Sequence, residues 1–181
     1  MLTLREQQQS LRRILTGTPV TEASAQTDPW LNEVMHSPGL AMTREIASWW
    51  LRFQVESQCI YTSRLMKHMG CYATYIDDHF SRNPTPPAIE ELSRHFLTSL
   101  AAHPDRLLRS VAAFELECLV PSATRQNPAL ILWDRDPNHV LTALTQGTEL
   151  PKSDRCARYI LTIGPPSDSP RHVSCTSVCH R

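Results

Sequence analysis

The sequence predicts a mainly α protein, with a helical bundle over residues 1–120 followed by a small α+β module over 129–181. Three observations carry that expectation. From Leu4 to Leu119 the apolar residues recur mostly three or four apart, the spacing of a helix face. The segment PSATRQNP (121–128) then breaks the pattern with two prolines. Beyond it, ALILW (129–133) and RYILTIG (158–164) read as short strands bounded by turn residues.

Thr3 and Glu6 have the spacing of a capping box, in which hydroxyl and carboxylate satisfy free N–H groups. Leu4, Leu11 and Leu15 mark one face of a first helix ending near Gly17. Residues 18–27 read as a loop, and Asp28-Pro29 caps and opens a short helix to about His36. Thr43 to Met69 is helix-permissive, either as one long bent helix or as two broken near Val55–Ser57, with Gly70 as the stop. A helix over Tyr72–Phe80 follows, and NPTPP (83–87) interrupts it. Ile89, Leu92, Phe96 and Leu100 keep the face of the next. After His103-Pro104-Asp105, the last helix of the bundle carries Leu108, Val111, Ala112, Cys118 and Leu119 on one side.

In the small module, Val140–Gln146 forms a short helix closed by Gly147. Tyr159, Leu161 and Ile163 alternate against Arg158, Ile160 and Thr162, and HVSCTSV (172–178) supplies a last strand. A module of that size buries a modest core and is expected to lean on its neighbour.

Hydrophobic residues make up 41% of the 181-residue chain and charged residues 20%, as in a soluble protein with a core. Eighteen Lys plus Arg balance eighteen Asp plus Glu. That neutrality argues against nucleic acid as the main partner, because phosphate binding needs clustered positive charge. The polar start MLTLREQQQSLRRILTG does not read as a signal peptide, and no stretch approaches the roughly 18 apolar residues of a membrane span, so a cytoplasmic location is expected. Cysteines 59, 71, 118, 156, 175 and 179 form no C-x-x-C pair and are expected to be free thiols. Cys59 and Cys118 fall within apolar helical patterns, where cysteine acts as a small hydrophobe.

The sequence has no P-loop, G-x-G-x-x-G, G-x-S-x-G or H-E-x-x-H motif, so a stand-alone enzyme is not expected and no catalytic residue is assigned. His172, Cys175, Cys179 and His180 offer soft ligands for zinc or copper. A frayed tail is the plainer reading, since a free terminus has few bonds to fix such ligands. No metal site is assigned. Asp77, Asp78 and His79 are consecutive on a helix, point in different directions and read as a solvated helix end. His68 and His95 are isolated and read as surface or packing residues.

Glu115 falls on an otherwise apolar face and must be paired or protonated. An ion pair with Arg44, Arg52 or Arg64 is the expected answer, and a catalytic carboxylate the alternative. Trp49, Trp50 and Phe53 crowd three aromatic rings into five residues. Adjacent helical positions differ by about 100°, so both tryptophans cannot face one core. Helix–helix packing and an exposed interface anchor both fit.

RFQVESQCIYTSRLMKHMG (52–70), FSRNPTPPAIEELSRHFLTSL (80–100), SVAAFELECL (110–119) and LILWDRDPNHVL (130–141) together resemble one family. It comprises the MbnC-like and HvfC-like partner proteins, which accompany iron-containing TIM-barrel enzymes in the biosynthesis of methanobactin and other modified peptides. The resemblance runs from about residue 40 to residue 165, and the terminal CTSVCHR lies outside it. It implies a helical domain contacting an MbnB-like enzyme, and Trp49, Trp50 and Phe53, crowded on one helix, are the candidate interface residues. It also implies a winged-helix-like peptide-recognition module. The leader of a precursor peptide would add a strand to that module, with Tyr159, Ile160, Leu161, Thr162 and Ile163 of RYILTIG as the candidate edge and the HVSCTSV strand beside it as the alternative. The partner enzyme, carrying the iron, would convert cysteine to an oxazolone with a neighbouring thioamide, and this chain would hold no cofactor. The product, methanobactin, is a copper chelator. The alternatives are a winged-helix-like DNA-binding regulator, a recognition subunit for a different modified peptide, and a small metal-handling protein using the tail.

Overall fold

A computed structural model describes residues 3–15, 29–83, 86, 88–120, 127–153, 157–163 and 173–179, with the backbone alone described for 173–179. The described elements are α1 (Leu4–Leu15), α2 (Pro29–Met35), α3 (Leu40–Gln58), α4 (Ile60–His68), α5 (Tyr72–Arg82), α6 (Ile89–Ser99) and a 3-10 turn (Leu100–Ala102). There follow α7 (Arg106–Cys118), β1 (Ala129–Trp133), α8 (Pro137–Gln146), β2 (Ala157–Ile163) and β3 (Val173–Cys179). The protein is mainly α. Among the described residues no helix is long and apolar enough to cross a membrane.

Packing divides the chain into two units, Met1–Gln54 with Ala73–Thr85, and Val55–Tyr72 with Pro86–Arg181. The sequence places the boundary in the 121–128 linker; the structure places α4, α6 and α7 in the same unit as the sheet. The reason is a set of bonds within that unit. Ser110 of α7 reaches a main-chain carbonyl of β1, and Arg64 of α4 donates to Leu144 O and Thr145 O at 3.0 Å each. These are terminal carbonyls of α8 that lack partners within their own helix. The small module leans on α4 and α7 as a two-layer core requires.

In the first unit, Thr3 N–H donates to Glu6 Oε2 at 2.7 Å, as the capping box predicts. Residue Leu4 is nonetheless 70% exposed, and Ile14 is the one buried residue among the described side chains of α1. Ile14 packs with Leu31 and Leu40, flanked by Leu15, Val34 and Met35. Arg44 Nε donates to Ile14 O at 2.8 Å, satisfying a carbonyl in the last turn of α1.

The long helical stretch is two helices, broken at Cys59, whose φ of −111° and ψ of 62° are not helical. Gly70 ends α4 in the left-handed region at φ 70°, a conformation that costs other residues a Cβ clash. In the second unit, Asp105 and Asp136 cap α7 and α8 by accepting from Leu108 N–H and Asn138 N–H.

The sheet is antiparallel with order β1-β2-β3. Its register pairs Ala129 with Ile163, Ile131 with Leu161 and Trp133 with Tyr159. Opposed residues share a face, and Ile131, Trp133, Leu161 and Ile163 are buried. Leu130 and Leu132 occupy the other face and are 69% and 56% exposed.

Candidate peptide-docking edge and partner surface

β2 lies in the middle of the sheet. Ile160 and Leu161 are paired with Leu132 and Ile131 on one side and with Thr176 and Cys175 on the other. The backbone of Tyr159–Ile163 therefore has no open edge, which corrects the expectation that RYILTIG itself accepts a strand. The correction is physical: each strand has two hydrogen-bonding edges, and both of β2's are used. The edges of the three-stranded sheet belong to β1 and β3.

The β1 edge faces a groove of about 520 Å³. Residues 130 to 134 all line it, together with Arg106, Arg109 and Ala113 of α7. Successive strand residues point to opposite faces, so a groove touching five in a row follows the backbone edge rather than one face.

Ser110 defines which groups that edge presents. Its hydroxyl sits 2.7 Å from Leu132 O and 2.9 Å from Arg106 O, sharing one proton between β1 and its own helix. In an antiparallel pair a residue either exchanges both main-chain bonds with its opposite or turns both away. A Leu132 carbonyl reached from α7 is turned away from β2, and Leu130, two residues earlier, has the same orientation. The main-chain groups of Leu130 and the N–H of Leu132 thus face the groove, available to an incoming strand.

Glu115 is buried and pairs with no arginine among the described residues. Its carboxylate accepts Tyr61 N–H at 2.6 Å and Thr62 N–H at 2.8 Å, two of the free donors at the start of α4. The three candidate arginines are committed elsewhere, Arg44 to Ile14 O, Arg64 to α8 and Arg52 to Asp77. Burial raises the Glu115 pKa, and the bonds from Thr62 and Tyr61 offset part of that rise. Burial, followed by the nearby Glu115 charge, pushes the Cys59 thiol up to about 12, so Cys59 is the small apolar residue the sequence suggests. Cys118 by contrast is exposed at the end of α7.

Asp77, Asp78 and His79 diverge as expected, but they are not uniformly solvated. Asp77 takes Arg52 and the Ser48 hydroxyl, and Asp78 takes Arg82. His79 is buried, its ring edge-on to Phe80 at 4.8 Å.

Cys175 and Cys179 belong to β3 rather than to a frayed end. Four steps along a strand separate their backbones by about 14 Å. That exceeds the reach of two thiolates on one ion at about 2.3 Å each. His172 and His180 lie outside the described residues.

On α3, Trp49, Trp50 and Phe53 are 58%, 50% and 49% exposed, which overturns the packing reading. Phe53 stacks on both tryptophans at 5.6 Å. Met42 and Ile46, also exposed, extend the stripe. Met42, Ile46, Trp49 and Phe53 step by four, three and four residues, the spacing of a helix–helix seam. The sequence shows that spacing, but periodicity cannot distinguish a face turned to the core from one turned outward. No protein-family model, no curated protein and no solved structure matches this chain.

Proposed function

We propose that this protein is a non-catalytic recognition subunit that binds an extended segment of a ribosomally made precursor peptide. The single observation carrying the reading is the β1 edge, whose outward main-chain groups at Leu130 have no partner among the described residues, with a lining groove and two exposed leucines beside it. Strand addition takes affinity from main-chain bonds and specificity from alternate side chains. An edge of this kind risks aggregation unless something covers it.

The small α+β unit is read as a winged-helix-like recognition element, and the α3 stripe as the contact with an MbnB-like, iron-containing TIM-barrel enzyme in the cytoplasm. The outer ring of such a barrel is made of helices, the partner that a seam of this spacing fits. The enzyme's reaction is cysteine conversion to oxazolone and thioamide on the way to a copper-chelating peptide, and the iron is the enzyme's. Affinity purification from native cells tests the assignment through two separable losses. Leu130→Pro is expected to lose the peptide and keep the enzyme, and Trp49→Asp the reverse. Wild-type chain that retains neither would refute it.

A further inference from the structure

The β1 groove carries a charge as well as an edge. Arg106 and Arg109 line it from α7 and Arg158 from the end of β2, against one acidic lining residue, Asp134. Among the described residues none of these arginines makes a salt bridge. Arg109 Nη1 donates to His103 O at 3.1 Å, which fixes its guanidinium without neutralising it. A cleft lined by one sign of charge concentrates the opposite sign.

A strand paired to β1 places alternate side chains on opposite faces of the sheet. One set continues the outer face and lies beside Leu130 and Leu132, a face that carries Arg158 only at its far end on β2. The other turns towards α7, where Arg106 and Arg109 stand and Ala113 leaves room. The two surfaces ask for different chemistry at odd and even positions.

We propose that the groove selects an extended peptide in which apolar residues alternate with acidic ones, the apolar set on Leu130 and Leu132 and the acidic set on Arg106 and Arg109. The inference rests on β1 being a strand-docking edge. It adds the substrate class: an acidic, alternating segment rather than a basic or merely apolar one. Charge-assisted bonds from guanidinium to carboxylate supply the selection.

Fluorescence anisotropy with the full chain and three labelled decapeptides tests it: alternating Leu-Glu, alternating Leu-Lys, and a block of five Leu followed by five Glu. The alternating Leu-Glu peptide is expected to bind about tenfold tighter than either control, a preference that weakens with salt. Arg106→Glu is expected to weaken Leu-Glu and strengthen Leu-Lys, a reversal that simple misfolding does not produce. Equal or tighter binding of Leu-Lys, or of the block peptide, overturns the proposal. If Leu-Lys binds at least as tightly as Leu-Glu and Leu130→Pro abolishes that binding, the docking edge stands and the acidic preference falls. If no alternating peptide binds, both fall.

Discussion

The Glu115 carboxylate accepts the Thr62 N–H at 2.8 Å, and with Tyr61 N–H at 2.6 Å this makes α7 the cap of α4. The N-cap position, Cys59, offers no side-chain capping bond, so a residue 53 positions beyond Thr62 supplies what the local sequence does not. Glu115→Ala orphans one buried donor, Thr62 N–H, and one part-buried donor, Tyr61 N–H, and since an orphaned buried donor costs about 1–3 kcal/mol a loss of about 2 kcal/mol is expected in chemical denaturation. Glu115→Gln keeps an acceptor and is expected to lose less.

The pH dependence has a defined sign. The folded pKa of Glu115 is raised above 4.5, mainly by burial, so folding favours the protonated carboxyl. The stability this contributes is complete below the ordinary carboxylate range and is lost as pH rises through the folded value. Stability of wild type relative to Glu115→Gln is therefore expected to fall as pH rises from about 4. Denaturation of both proteins across that range measures it, and a constant difference would contradict it.

The two leucines Leu161 and Leu130 are expected to respond oppositely to proline. Leu161 is fully buried in the central strand, and Leu161→Pro removes core packing and disturbs a strand paired on both sides. A cost of several kcal/mol or failure to fold is expected, on the scale of about 2–5 kcal/mol for losing a buried leucine. Leu130→Pro removes only an outward N–H at an edge, where proline is tolerated. Its melting temperature is expected to stay close to wild type while peptide binding is lost.

The α3 stripe predicts function without stability. Trp49→Asp or Phe53→Asp alters residues about half exposed, and surface changes usually stay within about 0.5 kcal/mol. Retention of the partner enzyme is expected to fall sharply in pull-downs while thermal denaturation barely moves.

Ser110→Ala removes the hydroxyl that stands between α7 and Leu132 O. A loss of about 1 kcal/mol is expected, the usual worth of one such bond. Faster amide exchange along β1 would accompany it.

Much of the local structure is legible in the sequence because local rules govern it. The Thr3–Glu6 box, the stops at Gly70 and Gly147, and β1 at Ala129–Trp133 all follow from neighbouring residues. What the sequence conceals depends on contacts distant along the chain. Strand order places β2 in the middle, and nothing within RYILTIG signals that a third strand will cover its second edge. Glu115 finds backbone N–H groups rather than an arginine because a helix start has no side-chain signature of need. The exposed α3 stripe has the periodicity of a core face, so its outward direction appears only once the fold is known.

The most direct test of strand docking at β1 is amide hydrogen exchange on the purified chain with and without its bound peptide. Slowed exchange at Leu130 and Leu132, with the already paired β2 amides unchanged, is the predicted result. Slowing confined to β3, or no change at Leu130 in a saturated complex, would contradict it.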